Sequence, residues 1–79
     1  MDQPVEAITA VARIDWSRWM PAIAPDAPNR WRLIRFDLVD GQPHGKPVAS
    51  MTPQGTERRF PNERQAQWGA DELNRQEGR

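Results

Sequence analysis

The sequence predicts an α+β fold: a small antiparallel sheet of three strands, or four if the N-terminal segment joins it, packed against one C-terminal helix. Three observations carry that expectation. Residues 31–39 (WRLIRFDLV) are rich in aromatic and branched side chains, with Ile34, Phe36 and Leu38 at period two. Thr52-Pro53-Gln54-Gly55 puts proline second and glycine fourth, the chemistry of a type I turn between two short strands. Residues 62–77 carry a capping residue followed by a helical stripe.

Taken in order, residues 1–20 form an N-terminal segment whose letters satisfy two periods. Val5, Ile8, Ala12 and Trp16 share a helical face, yet Ile8, Ala10, Ala12 and Ile14 alternate, and the β-branched content of residues 4–14 favours a strand that joins the sheet. Asp15 is placed to cap a short helical turn through Trp16-Ser17-Arg18-Trp19-Met20 that ends at Pro21. Residues 21–29 hold three prolines and are expected to be a semi-extended connector, because proline interrupts both helices and central strands. The sheet is expected within residues 30–60. Its first strand ends at Asp40-Gly41, a loop containing two glycines runs to Lys46, and strands follow at 47–51 and 56–60.

The helix is expected over 62–77. Asn62 supplies the cap, Gln65 stands where the reciprocal partner of a capping box belongs, and Glu63 adds negative charge to the first turn. Ala66, Gly69, Ala70 and Leu73 make a stripe of mostly small residues that should lie close on the sheet, and Gly78 ends the helix. The expected core is Phe36, Leu38, Val48, Phe60, Ala70 and Leu73. Trp16, Trp19 and Trp31 are expected to form an aromatic cluster beside it.

A chain of 79 residues supports one domain with a thin core. It holds no cysteine, which removes disulfides and thiolate ligands together and favours a reducing cytoplasmic setting. No apolar run approaches the length of a membrane helix, and no membrane partner is expected. The formal net charge is +0, which counts against bulk electrostatic coating of nucleic acid. Residues 30–60 nevertheless hold six cations against three carboxylates, so one face of the sheet could be basic.

Catalytic signatures are missing. His44 is the only histidine, and neither Ser17 nor Ser50 is accompanied by a nucleophile elbow. Asp71 and Glu72 are adjacent on a helix and do not face one another across a cleft. No glycine-rich phosphate loop is present, and no spacing suggests a metal site. The expectation is a non-enzymatic protein without catalytic residues, cofactor or metal.

Binding chemistry is better represented. Four tryptophans exceed what so small a core encloses, and Trp68 falls off the helical stripe, beside Arg64, Glu72 and Arg75, where either a partner or the chain's own N-terminal, proline-containing segment would cover it. These four residues are the expected contact set for a partner, a larger protein or nucleoprotein complex whose surface the chain would occupy. Small phage or mobile-element inhibitors of host machinery, anti-CRISPR proteins among them, belong to this size class. A subunit of a larger assembly is a further alternative. In the order of its elements, residues 31–76 resemble small DNA-binding modules whose sheet enters the major groove, such as the plant AP2 type and the arm-binding domains of phage integrases. That resemblance implies nucleic-acid contacts from Arg32, Arg35, Arg58 and Arg59.

Overall fold

A computed structural model describes residues 14–79. Three antiparallel strands, β1 (Met20–Ala24), β2 (Ala27–Val39) and β3 (Gln42–Ala49), pair in the order β1-β2-β3, and one helix, α1 (Glu63–Glu77), follows them. The α+β architecture with a C-terminal helix is therefore present, but the strands are not all the expected ones. Most of the N-terminal segment expected to add a strand lies outside the described residues.

The proline-rich stretch 21–29 is not a connector. Pro21 sits in β1, a sheet edge, and Pro28 lies in β2 where the register with β1 shifts between Ile23 and Ala24. Edge and bulge positions are where a missing backbone donor is tolerated. Asp15 does not start a helical turn. Its carboxylate accepts from the Ser17 backbone N–H at 3.0 Å, Arg18 N–H closes a turn on the Asp15 carbonyl, and Pro21 is already strand.

Asp40-Gly41 forms a two-residue hairpin turn with φ of 53° and 77°, the left-handed pair that the twist of adjoining strands favours. The expected loop to Lys46 is thus strand β3. Its two extra residues are absorbed at a bulge near Gly45, whose φ of 73° glycine adopts without steric cost. Residues 56–60 do not form a strand. They contribute isolated bridges, Met51 to Glu57 and Trp31 to Phe60, around the expected turn, which Gly55 N–H closes on the Thr52 carbonyl at 2.9 Å.

Strand alternation turns Trp31, Leu33 and Arg35 toward α1 and sends Arg32, Ile34 and Phe36 to the other face. The core is Trp19, Leu33, Ala66 and Ala70, with Trp31, Val48, Phe60 and Leu73 packed against it. Of the expected core, Phe36 and Leu38 are thus misplaced: Phe36 meets Trp16 edge to face at 5.8 Å, and Leu38 is exposed. The expected tryptophan cluster is divided in the same way, with Trp19 and Trp31 on the helix side and Trp16 on the other.

Helix α1 begins and ends as its sequence directs. The Asn62 side chain accepts from Gln65 N–H at 2.8 Å, and Gly78, at φ 69°, lets Gly78 and Arg79 donate to the carbonyls of Arg75 and Asn74. Two helix residues fix its seat on the sheet. Asn74, buried, accepts from Trp19 N–H at 2.7 Å and donates to the Trp19 carbonyl at 3.0 Å, continuing the ladder of β1 from a side chain. Gly69 leaves room for the Phe60 ring, since a Cβ there would stand 2.7 Å from Phe60 Cζ.

Candidate functional site

The absence of a side chain at Gly69 lets the helix descend onto Phe60, and a groove of about 310 Å³ opens where the two separate again. Leu33, Phe60 and Leu73 make its apolar floor, Trp68 its outer wall, and Arg58, Glu72 and Gln76 its polar rim. Leu33 is 0 % exposed, whereas Trp68 is 68 % exposed, so the groove runs from the core to an indole in solvent.

Backbone bonds hold the floor. Phe60 N–H donates to the Trp31 carbonyl at 2.8 Å and Trp31 N–H donates back at 2.9 Å, while Ser50 N–H reaches the Leu33 carbonyl at 2.9 Å. Arg58 is fixed through its backbone N–H to the Ser50 carbonyl at 2.9 Å. Its Nε, like those of Arg32 and Arg35, is shut from solvent without a hydrogen-bond partner. Among the described residues no carboxylate pairs with it.

The residues expected to contact a partner are dispersed along the exposed side of α1. Trp68 and Glu72 line the groove, Glu72 is bonded by Arg75, and Arg64 stands exposed one turn before Trp68. Sequence reasoning missed Arg58 and Phe60 as groove residues. The signal was the brevity of the Phe60-Pro61-Asn62 link, which obliges the first turns of the helix to lie over the end of the sheet.

The four arginines expected to meet nucleic acid do not share a face. Arg32 and Arg59 lie opposite the helix in an ion-pair network, Arg32 with Glu57 at 3.6 Å and Arg59 with Glu57 and Asp26 at 2.8 Å each. The Arg59 hydrogen bond holds the Asp26 carboxyl below the usual carboxylate range, and Arg59 itself is raised, chiefly by Asp26. Arg35 lies on the helix side, its guanidinium 5.3 Å from the centre of the Trp19 ring and 3.0 Å from Asp37. Arg58 alone of the four reaches the groove.

A second hollow, of about 340 Å³, lies between Trp19, Arg18 and the Asp71 side of α1 and is lined also by Ile14. Among the described residues no cluster of three histidine, aspartate or glutamate side chains could hold a metal ion, and no helix is long and apolar enough to cross a membrane. Comparison with protein-family models, curated proteins and solved structures gives no match.

Proposed function

We propose that this chain is a non-enzymatic binding protein that acts by occupying a surface on a larger protein or nucleoprotein complex, with Trp68 and its groove as the contact. The observation that carries this reading is the 68 % exposure of Trp68 at the mouth of an apolar groove. An indole left in water on a helix whose seat is made by Ala66, Gly69, Ala70 and Leu73 contributes little to folding. Burying it against a partner returns both its large apolar area and the use of its N–H. An inhibitor of host machinery would work in this way, by covering a surface the host protein needs.

The test separates fold from contact. Trp68→Ala should leave the melting temperature nearly unchanged while weakening partner binding by about 2 kcal/mol, as truncation of hot-spot tryptophans does. Affinity capture from a bacterial lysate, with the wild type and the variant compared by quantitative mass spectrometry, identifies proteins held only by the intact groove. A variant that melts several degrees lower, or that retains every protein the wild type retains, moves Trp68 out of the interface.

A further inference from the structure

We infer that the groove takes a segment of a partner protein in which an aromatic or large aliphatic anchor stands next to a carboxylate. This rests on the reading of Trp68 as a contact residue and specifies the chemistry of what it contacts. Leu33, Phe60 and Leu73 offer apolar contact and Arg58, Glu72 and Gln76 polar contact, so what fills the groove pairs an apolar group with a polar one, and about 310 Å³ accommodates one or two side chains.

The rim sets the charge. Arg58 lines the groove with its Nε desolvated and unpartnered, and no described carboxylate answers its charge. The enclosed Nε is not open to a partner, so a carboxylate would meet Arg58 end-on, at the two terminal nitrogens of the guanidinium, with two parallel hydrogen bonds. Arg64, Trp68, Glu72 and Arg75 follow one another along the outer side of α1, and the Glu72 carboxylate is already bonded by Arg75. Arg58, Arg64 and Arg75 against Asp71 and Glu72 leave about +1 around the indole, on a chain whose formal net charge is +0.

Nucleic acid fits this site less well than an acidic, apolar peptide does. Its backbone is gripped by several cations in series, and the other arginines expected to serve are ion-paired on the far face or stacked on Trp19.

Short random peptides displayed on phage, selected on the immobilised full chain and counter-selected on Trp68→Ala, test the assignment. The expected winners carry Trp, Phe or Leu within a residue or two of Asp or Glu. Synthesised and titrated, they should lose at least roughly ten-fold in affinity when their own carboxylates become amides, the loss expected for removing a charged hydrogen-bond partner. The same loss should follow Arg58→Gln, and Arg58→Lys should recover part of it. Changing the peptide's carboxylate leaves the protein intact, so a poorly folded Arg58 variant cannot imitate the result.

Peptides that need Trp68 but show no acidic bias, or that bind equally well as amides, overturn the inference and leave the groove as a contact site. Selection that yields no Trp68-dependent peptide overturns both. An oligothymidylate that binds in moderate salt and is lost with Trp68→Ala reassigns the groove to nucleic acid.

Discussion

Two residues of α1 carry more of the fold than their size suggests, and both yield measurable consequences. Glycine in a helix interior costs about 1 kcal/mol relative to alanine, so Gly69→Ala on an open face would stabilise the chain. Here the new methyl would stand 2.7 and 2.9 Å from two atoms of the Phe60 ring. The Phe60 backbone is tied to Trp31 through both its N–H and its carbonyl, so relief must come from turning the ring, which is packed against the core. Overpacking of this kind costs about 1–3 kcal/mol, so the variant should be less stable by about 1 kcal/mol in a urea titration. A gain in stability would mean that the ring has space to move. Asn74→Ala should cost more, about 2 kcal/mol or above, since it strands a buried N–H and a buried carbonyl of Trp19 at once. In a chain of this size that is a fall on the order of 10 °C in melting temperature. Gln67→Ala, exposed on the same helix, is the control and should stay within about 0.5 kcal/mol of the wild type.

At the scale of elements, the helix and the 52–55 turn were legible because each is written in local chemistry: Asn62 and Gly78 at the helix ends, Pro53 and Gly55 in the turn. Strand β2 was legible as a strand but not as to its faces. Ile34, Phe36 and Leu38 alternate, and so do Trp31 and Leu33, with Arg35 as the odd member that made the second set look solvent-facing. Arg35 is accepted on the helix side because it stacks on Trp19 and pairs with Asp37. No pattern within β2 announces that compensation, and a wrong choice of face exchanges every side chain of the strand. Strand β1 was hidden by Pro21 and by Pro25 and Pro28 just beyond it, a spacing that excludes a central strand and leaves an edge strand open. In the site, Trp68 was legible as a misfit on its helix, while Arg58 was not, because its place depends on the isolated bridges around residues 51–60.

The C-terminal end of α1 makes a further link between elements. The Glu77 carboxyl is held below its ordinary range chiefly by the Arg79 hydrogen bond, which outweighs the opposing effect of burial, with a smaller contribution from the Trp19 indole N–H at 3.2 Å. The Asp15 carboxyl is lowered mainly by the Ser17 hydroxyl, and Asp26 by Arg59. Carboxylates with depressed values in the folded state contribute stability that is present above their unfolded values and lost as the pH falls through their folded ones. The melting temperature should therefore hold from about pH 8 to about pH 5 and decline below the ordinary carboxylate range. Glu77→Gln keeps an acceptor for Trp19 but removes one titration, so its decline should be shallower. Identical acid profiles for variant and wild type would show that the Glu77 contacts do not distinguish its charged from its neutral form.

Residues 14–79 are elongated, with extents of 50 × 26 × 24 Å, and the mismatch between two elements explains it. At 3.3 Å per residue the 13 residues of β2 run about 43 Å, whereas at 1.5 Å per residue the 15 residues of α1 cover about 22 Å. The helix can therefore roof only one half of the strand. Its roof lies over Trp31, Leu33 and Arg35, and from Asp37 through Pro47 every residue is exposed, a two-stranded arm beyond the core. Two strands without a packed face are marginal alone, so the arm should open without the rest of the molecule unfolding. Amide hydrogen exchange resolved by residue would record this as a step along β2. Protection at Val39, which pairs with Gln42, should be at least roughly ten-fold below that at Trp31, whose N–H donates to the Phe60 carbonyl. The step also bears on the groove, because Leu33 and the Phe60 that Trp31 holds belong to the protected end. A binding surface built there keeps its shape while the arm moves, so a partner need not order it first. Uniform protection from Trp31 to Val39 would instead mean that arm and core open as one unit, and that the groove is no more preformed than the hairpin beside it.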